Sequence, residues 1–235
     1  MSKLVEDRQI VVPGEVLAEG EYRLGENVYR NGNKILSTMV GLTRIDGDKL
    51  SVIALHGFYM PMNDDIVIGI IDDVGLTHWM VDINAPYPGI LRASETFGRG
   101  FDPTRHDLLD ELKIGDVVIA KVLSFDRTQD PVLTLKENGL GKIKDGVVVS
   151  LTPSKIPRLI GKKGSMLNII QQKTGCQIMV GQNGMVLARC GDKTMEDLAI
   201  KIIKVIEREA HTSGLTNRVS RLLESKIEQR EGEKR

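Results

Sequence analysis

Apolar and polar positions change period along the chain, and those changes divide it. From Gly14 to Leu55 apolar residues alternate in short runs broken by turn residues. Val28-Tyr29-Arg30 meets Asn31-Gly32-Asn33 before Lys34 to Val40, and Val40 to Ile45 meets Asp46-Gly47-Asp48 before Lys49 to Leu55. Gly and Asn accept a positive φ, so both junctions predict hairpin turns and segment 1–60 predicts a small all-β domain. His56 to Pro61 reads as a linker, because Pro61 argues against a continuing strand. From 61 to 141 more β-type runs appear: Asp65 to Ile71, Trp79 to Ile83, Ile90-Leu91, Val117 to Leu123 and Val132 to Leu135. An irregular polar stretch, Phe97 to Arg105, separates the third from the fourth.

Five short strands with one irregular insertion suit a small Greek-key barrel of the OB type. Beyond residue 142 the period lengthens. Val147 to Leu151 predicts a strand, and Pro153 opens a helical stretch through Ile160. Ser165 to Thr174 places Met166, Ile169, Ile170 and Lys173 at helical spacing. Gln177 to Val180 and Met185 to Cys190 flank the turn Gly181-Gln182-Asn183-Gly184. Thr194 to Ala210 carries an apolar stripe of Leu198, Ile202, Val205 and Ile206. The expected fold is therefore multidomain α+β: an all-β N-terminal domain, a five-stranded OB-type barrel, and a βααββα domain over 142–213. Segment 214–235, with Leu215, Val219, Leu222, Leu223 and Ile227, reads as a charged helical tail that frays at its end.

Charge changes this picture locally. Thirty-two basic and thirty-two acidic residues cancel, whereas a protein that only coats nucleic acid is usually basic overall. Between Lys142 and Lys173 the balance tips: Lys142, Lys144, Lys155, Arg158, Lys162, Lys163 and Lys173 face only Asp145. At the centre of that stretch lies Gly161-Lys162-Lys163-Gly164, between two helical segments. Two glycines permit a tight turn and close approach of a phosphodiester, and the amides near Ser165 and Met166 carry the positive end of the second helix. Lys162 and Lys163 add two mobile cations, and Ile160 and Ile178 are candidates for an apolar floor under bases. In its element order and its loop, the segment 142–212 resembles the KH domain, which clamps the backbone of about four nucleotides. That resemblance implies an RNA site of Arg158, Ile160, Gly161, Lys162, Lys163, Gly164 and Ser165.

Asp64 to Ile71, Thr77 to Asp82, Gly89 to Glu95 and Gly115 to Val118 resemble the RNA-binding domain first seen in ribosomal protein S-one. Such barrels bind single strands with aromatic and basic residues on one face. The resemblance implies Trp79, Arg92 and Lys121 as contacts, with His78, Arg127 and Lys136 beside them. An N-terminal β domain with Pro13-Gly14-Glu15, then this barrel, then a KH domain, is similar to the RNA-binding cap subunits of the archaeal exosome. The similarity implies a role in capturing and threading single-stranded RNA for 3′-to-5′ degradation. Three copies would sit on a hexameric ribonuclease ring; the docking residues are not readable from the sequence, and exposed strand edges around Gly14 to Ala18 are candidates. A free-standing RNA chaperone or translation-associated factor is the alternative. The related cap subunit ending in a zinc ribbon is excluded, because the cysteines are not clustered.

No motif for chemistry stands out. Gly161 to Ser165 lacks Walker spacing, and neither H-E-x-x-H nor G-x-S-x-G occurs. His56, His78, His106 and His211 are scattered, and Asp64-Asp65 and Asp72-Asp73 read as strand caps rather than metal ligands. A non-enzyme without cofactor or metal is the expectation. Cys176 and Cys190 lack C-x-x-C spacing and are expected as small, reduced core residues. The charged start, Met1 to Asp7, has no apolar signal core, and no apolar run approaches the roughly 20 residues of a membrane span. A cytoplasmic protein without membrane contact is expected.

Overall fold

A computed structural model describes residues 2–233 except 56, 99, 100, 103, 104, 106, 127, 211 and 213. His56, His106, Arg127, His211 and part of the polar stretch 97–105 thus lie outside the described residues. The chain forms two compact units, Met1–Gly57 and Phe58–Arg235.

In the first unit the strands are β1 (Ser2–Lys3), β2 (Ile10–Val11), β3 (Val16–Glu19), β4 (Arg23–Leu24), β5 (Val28–Asn31), β6 (Lys34–Ser37), β7 (Gly41–Asp46) and β8 (Lys49–Ala54). They make two four-stranded sheets, β1-β3-β6-β5 and β2-β7-β8-β4. Both expected hairpins form, β5–β6 and β7–β8. Alternation buries Val11, Leu17, Ile35, Leu50 and Val52 in the core. The expectation of free strand edges around Gly14 to Ala18 fails in the second half of that segment. β6 pairs with β3 from Val16, β1 covers its other edge at Ala18 and Glu19, and Leu17 and Ala18 are fully buried, whereas Gly14 stays exposed.

The exposed aliphatic surface lies elsewhere in this unit. Register sets Ile10 opposite Leu42, and Leu42 opposite Ile53. Val12 and Val40, just after β2 and just before β7, are also exposed, at 52% and 47%. Ile10 is 64% exposed and Ile53 49%. Three strands thus present a contiguous apolar face away from the core.

The second unit begins with the barrel. Its strands are β9 (Ile66–Val74), β10 (His78–Asp82), β11 (Gly89–Arg92), β12 (Val117–Ser124), β13 (Val132–Thr134) and the short β14 (Gly141–Lys142), with helices α1 (Ala93–Phe97) and α2 (Leu108–Glu111) between β11 and β12. The order is β13-β11-β10-β9-β12-β14, and β13 also pairs with β12, which closes five strands into a barrel. Val67, Ile71, Val81, Leu91, Val118 and Leu133 fill it. Asp65 behaves as a cap: its carboxylate accepts from the Tyr59 hydroxyl at 2.6 Å and the Met62 amide at 3.1 Å.

Then come β15 (Val147–Ser150), α3 (Ile156–Ile160), α4 (Ser165–Thr174), β16 (Gln177–Val180), β17 (Met185–Arg189), α5 (Lys193–Glu209) and α6 (Leu215–Glu233). The sheet runs β15-β17-β16, and one of its faces packs on the helices. This is the βααββα arrangement expected. Segment 214–235 is more than a tail, however. Leu215, Val219 and Leu223, spaced by four, are buried with Ile170, Ile203 and Ile206, so α6 completes the helical layer. Ile178 belongs to the same core at 5% exposure, which removes it as a floor for bases. Cys176 and Cys190 form a disulfide instead of staying reduced. Gln177 pairs with Arg189, so the next residues outward on the two strands are these cysteines.

Candidate nucleic-acid interface

The loop at 161–164 is built by backbone demands that few residues meet. Gly161 has φ 73° and ψ 176°, and a Cβ there would lie 2.8 Å from both the amide nitrogen and the Cβ of Met166. A side chain at 161 would therefore press on the first turn of α4. Lys163 is left-handed, φ 54° and ψ 33°, a conformation that costs an L residue about 1 kcal/mol. Strained backbone of this kind concentrates at functional sites. Its effect here is to turn two adjacent lysines outward over a tight 3₁₀ turn.

No side chain caps the N-terminus of α4. Its first-turn amides, with the helix dipole behind them, make a place for an anion. Lys162, Lys163, Arg158 and Ser165 are exposed, and Ile160 is exposed at the end of α3. Arg158, Lys162 and Lys163 make no ion pair among the described residues. The wider basic stretch is partly neutralised: Lys142 pairs with Asp116, and Lys173 with Glu224 at 3.2 Å. Burial acts to raise the Asp116 carboxyl, but the Lys113 amide and the Lys142 ammonium outweigh it and hold that group below the usual carboxylate range. All seven residues expected at the loop are therefore brought together, and the unpaired cations sit on them.

The barrel residues are divided by the fold. His78 and Arg92 stand directly opposite on β10 and β11. With Thr77, Ile90, Ser94 and Phe101 they line a shallow groove of about 290 Å³. Trp79, one residue along, points the other way, into the barrel, and so is not the RNA contact the resemblance implies. It is 0% exposed, its indole N–H donates to the Leu112 carbonyl at 3.0 Å, and it stacks near Phe97. Its large apolar ring fills the barrel and offers no face to a base. Lys121 is clamped by Glu137 at 2.7 Å and Asp64 at 2.9 Å, which raise its pKa. Lys136 is paired with Glu95 at 3.0 Å. Phe101 in the groove was not expected from the sequence. Its only signal there is an aromatic four residues after Phe97 in the polar stretch after β11.

Residues 8–56 match the family described as exosome RNA binding protein RRP4 N-terminal domain, and residues 146–196 match the KH domain. The chain is 48% identical over 234 residues to exosome complex component Rrp4 of Thermosphaera aggregans, covering 95% of this chain and 94% of that protein. It is 46% identical over 221 residues to the Rrp4 of Methanothermobacter thermautotrophicus, covering 94% of this chain and 70% of that one. A crystal structure described as a proposed exosome complex RNA-binding protein matches with a TM-score of 0.71 at 42% identity, over 74% of this chain and 99% of its own. Relatedness at this level over nearly the whole length is not a matter of one shared module. The chain belongs to the family of the exosome complex component Rrp4.

Proposed function

We propose that the chain is a non-catalytic RNA-binding subunit of an exosome, which caps a hexameric ribonuclease ring and feeds single-stranded RNA into it. The observation that carries this reading is the loop 161–164: two lysines without an ion pair among the described residues, over the uncapped N-terminus of α4, in a chain of this family. Phosphates of a single strand lie against the first-turn amides of α4, while Lys162 and Lys163 neutralise them. Arg92 and His78 offer a second contact on the barrel. Each site alone is weak, and linkage raises the effective concentration at the second once the first is filled. Three copies around the ring would multiply the effect, which suits a chain without net positive charge.

The same reading assigns ring docking to the N-terminal unit. The aliphatic face of Ile10, Leu42, Ile53, Val12 and Val40 is the candidate, since monomeric proteins rarely leave such a patch bare. Leu42→Asp/Ile53→Asp is expected to abolish co-elution with the nuclease ring while leaving RNA binding by the free chain intact. Degradation itself would belong to the ring. Among the described residues no helix is long and apolar enough to cross a membrane.

The test is RNA affinity across a salt series for the wild-type chain and for Lys162→Asp/Lys163→Asp. Much weaker binding with a flatter salt dependence supports the clamp. Equal binding by both proteins sinks it.

A further inference from the structure

The barrel and the KH domain meet where the turn between β16 and β17 reaches β9. On β9 the last residue paired with β10 is Ile70, opposite Asp82, so Ile66 and Ile68 have lost their neighbour on that side. The turn between β16 and β17 takes the vacant place. The Gln182 amide donates to the Ile66 carbonyl at 2.9 Å, and the Gln182 Oε1 accepts from the Ile66 amide at 3.0 Å. Asn183 is fully buried. Its Oδ1 accepts from the Ile68 amide at 3.3 Å, and its Nδ2 donates to the carbonyls of Ile68 at 2.6 Å and Ile83 at 2.9 Å. Asn84 Nδ2 returns a bond to the Asn183 carbonyl at 2.9 Å.

An amide side chain carries a donor and an acceptor on one tip, so it can replace the N–H and C=O of a missing strand. Gly181 makes the approach possible. A Cβ there would lie 2.4 Å from Asn183 Oδ1 and 3.0 Å from the Ile68 amide nitrogen. Around these bonds Ile68 and Ile119 of the barrel pack on Leu187 of β17, with Met179 and Met185 against them. Linked domains move relative to each other by default unless the interface is large and hydrophobic. Here the interface is apolar and closed by a buried hydrogen-bonded side chain, whose loss would leave three backbone groups of the barrel unpaired.

We infer that Asn183 is a positioning residue that fixes the span between the loop 161–164 and the barrel groove, so that one RNA strand engages both as a single rigid site. The inference rests on the proposal that both surfaces bind RNA. Avidity survives only where geometry permits simultaneous engagement. A latched pair holds one span, whereas an unlatched pair spreads over many and loses effective concentration.

The experiment compares wild type with Asn183→Ala and with Gln182→Ala, using full-length chains. Two RNA lengths serve, one of about four nucleotides for a single clamp and one of about twenty for both surfaces. Affinity for the short RNA is expected to stay within about twofold, while affinity for the long RNA falls on the order of tenfold in Asn183→Ala and less in Gln182→Ala, which loses only one side-chain bond at an exposed position. The fold is followed by emission of Trp79 for the barrel and by helical circular dichroism for the KH domain. The two signals should unfold together in wild type and separately in Asn183→Ala. Long-RNA affinity that persists after the transitions separate overturns the inference, as do transitions that stay coincident. If Asn183→Ala does not fold, Gln182→Ala decides, and an unchanged long-RNA affinity there overturns it. Failure of the underlying proposal looks different: Lys162→Asp/Lys163→Asp and Arg92→Ala would each leave long-RNA binding of the latched chain untouched.

Discussion

Two surfaces of this chain carry lysines where nucleic acid is expected, and they treat those lysines in opposite ways. At the loop 161–164 Lys162 and Lys163 have no carboxylate partner among the described residues, and a left-handed backbone turns them outward. On the barrel Lys121 is held between Glu137 and Asp64, and Lys136 is held by Glu95. A phosphate approaching Lys121 must displace two carboxylates already in contact, whereas one approaching Lys163 displaces only water. The difference shows how a chain with equal numbers of acids and bases concentrates its attraction for a polyanion. Position in a motif did not decide which cation is available. Local pairing did.

Breaking the loop should have the largest effect. Charge-assisted hydrogen bonds are worth about 1.5–3 kcal/mol, so Lys162→Asp/Lys163→Asp is expected to weaken RNA binding by well over tenfold at low salt. Two lost phosphate contacts on a single strand should flatten the slope of log affinity against log salt by about 1.4. Filter binding at four salt concentrations reads both quantities. Next comes Gly161→Ala, which leaves every charge in place. Its methyl group would crowd the Met166 amide at 2.8 Å, disturbing the α4 N-terminus. Affinity should drop several-fold, by roughly 1 kcal/mol, with a salt slope close to that of wild type. A flatter slope in Gly161→Ala would mean that the backbone geometry and the lysines do not act separately.

The contrast between the surfaces also marks what could be read from residue order. The KH segment was legible because its signals are local: glycine at both ends of the loop, a proline-opened helix, and a turn between two short strands. The barrel strands were legible as short β-type runs bounded by turn residues, and so were the two N-terminal hairpins. What failed depends on contacts distant in sequence. Nothing near Lys121 in sequence announces Glu137 as its partner. Trp79 and His78 are adjacent, and only the phase of β10 in the closed barrel sends one inward and the other out. The stripe of α6 was visible, but its many charges disguised a core helix. Gly181 to Gly184 read correctly as a turn, while its grip on a strand 115 positions earlier has no signature at all. The strand edge at Ala18 was expected to be free because the partner β1, only two residues long, is too short to see.

Freeing the barrel lysine would sharpen the comparison from the other side. Glu137→Gln/Asp64→Asn removes the two carboxylates that raise the Lys121 pKa, without altering the lysine. The released ammonium should strengthen RNA binding by about two- to fivefold at low salt, and the gain should vanish as salt rises. Arg92→Ala works in the opposite sense and should cost a similar factor, since Arg92 faces the groove without an ion pair among the described residues. If Glu137→Gln/Asp64→Asn changes nothing while Arg92→Ala weakens binding, RNA crosses the His78 side of the barrel and avoids the β12 side. If neither substitution matters, the barrel is a scaffold and the loop acts alone.

The smallest expected effect is none. Trp79 is the sole tryptophan of the chain, so its emission reports on the barrel interior without interference. A tryptophan that stacks on bases is quenched when RNA binds. One that is buried, with its N–H bonded to the Leu112 carbonyl, is not. Titration with RNA of about twenty nucleotides, long enough to reach both surfaces, should leave the intensity and wavelength of Trp79 emission unchanged while an independent assay shows saturation. Substantial quenching at the same midpoint would mean that the barrel opens to place Trp79 against a base. The barrel would then recognise RNA by stacking on its own tryptophan, and the difference between the two surfaces would be one of chemistry rather than of charge pairing.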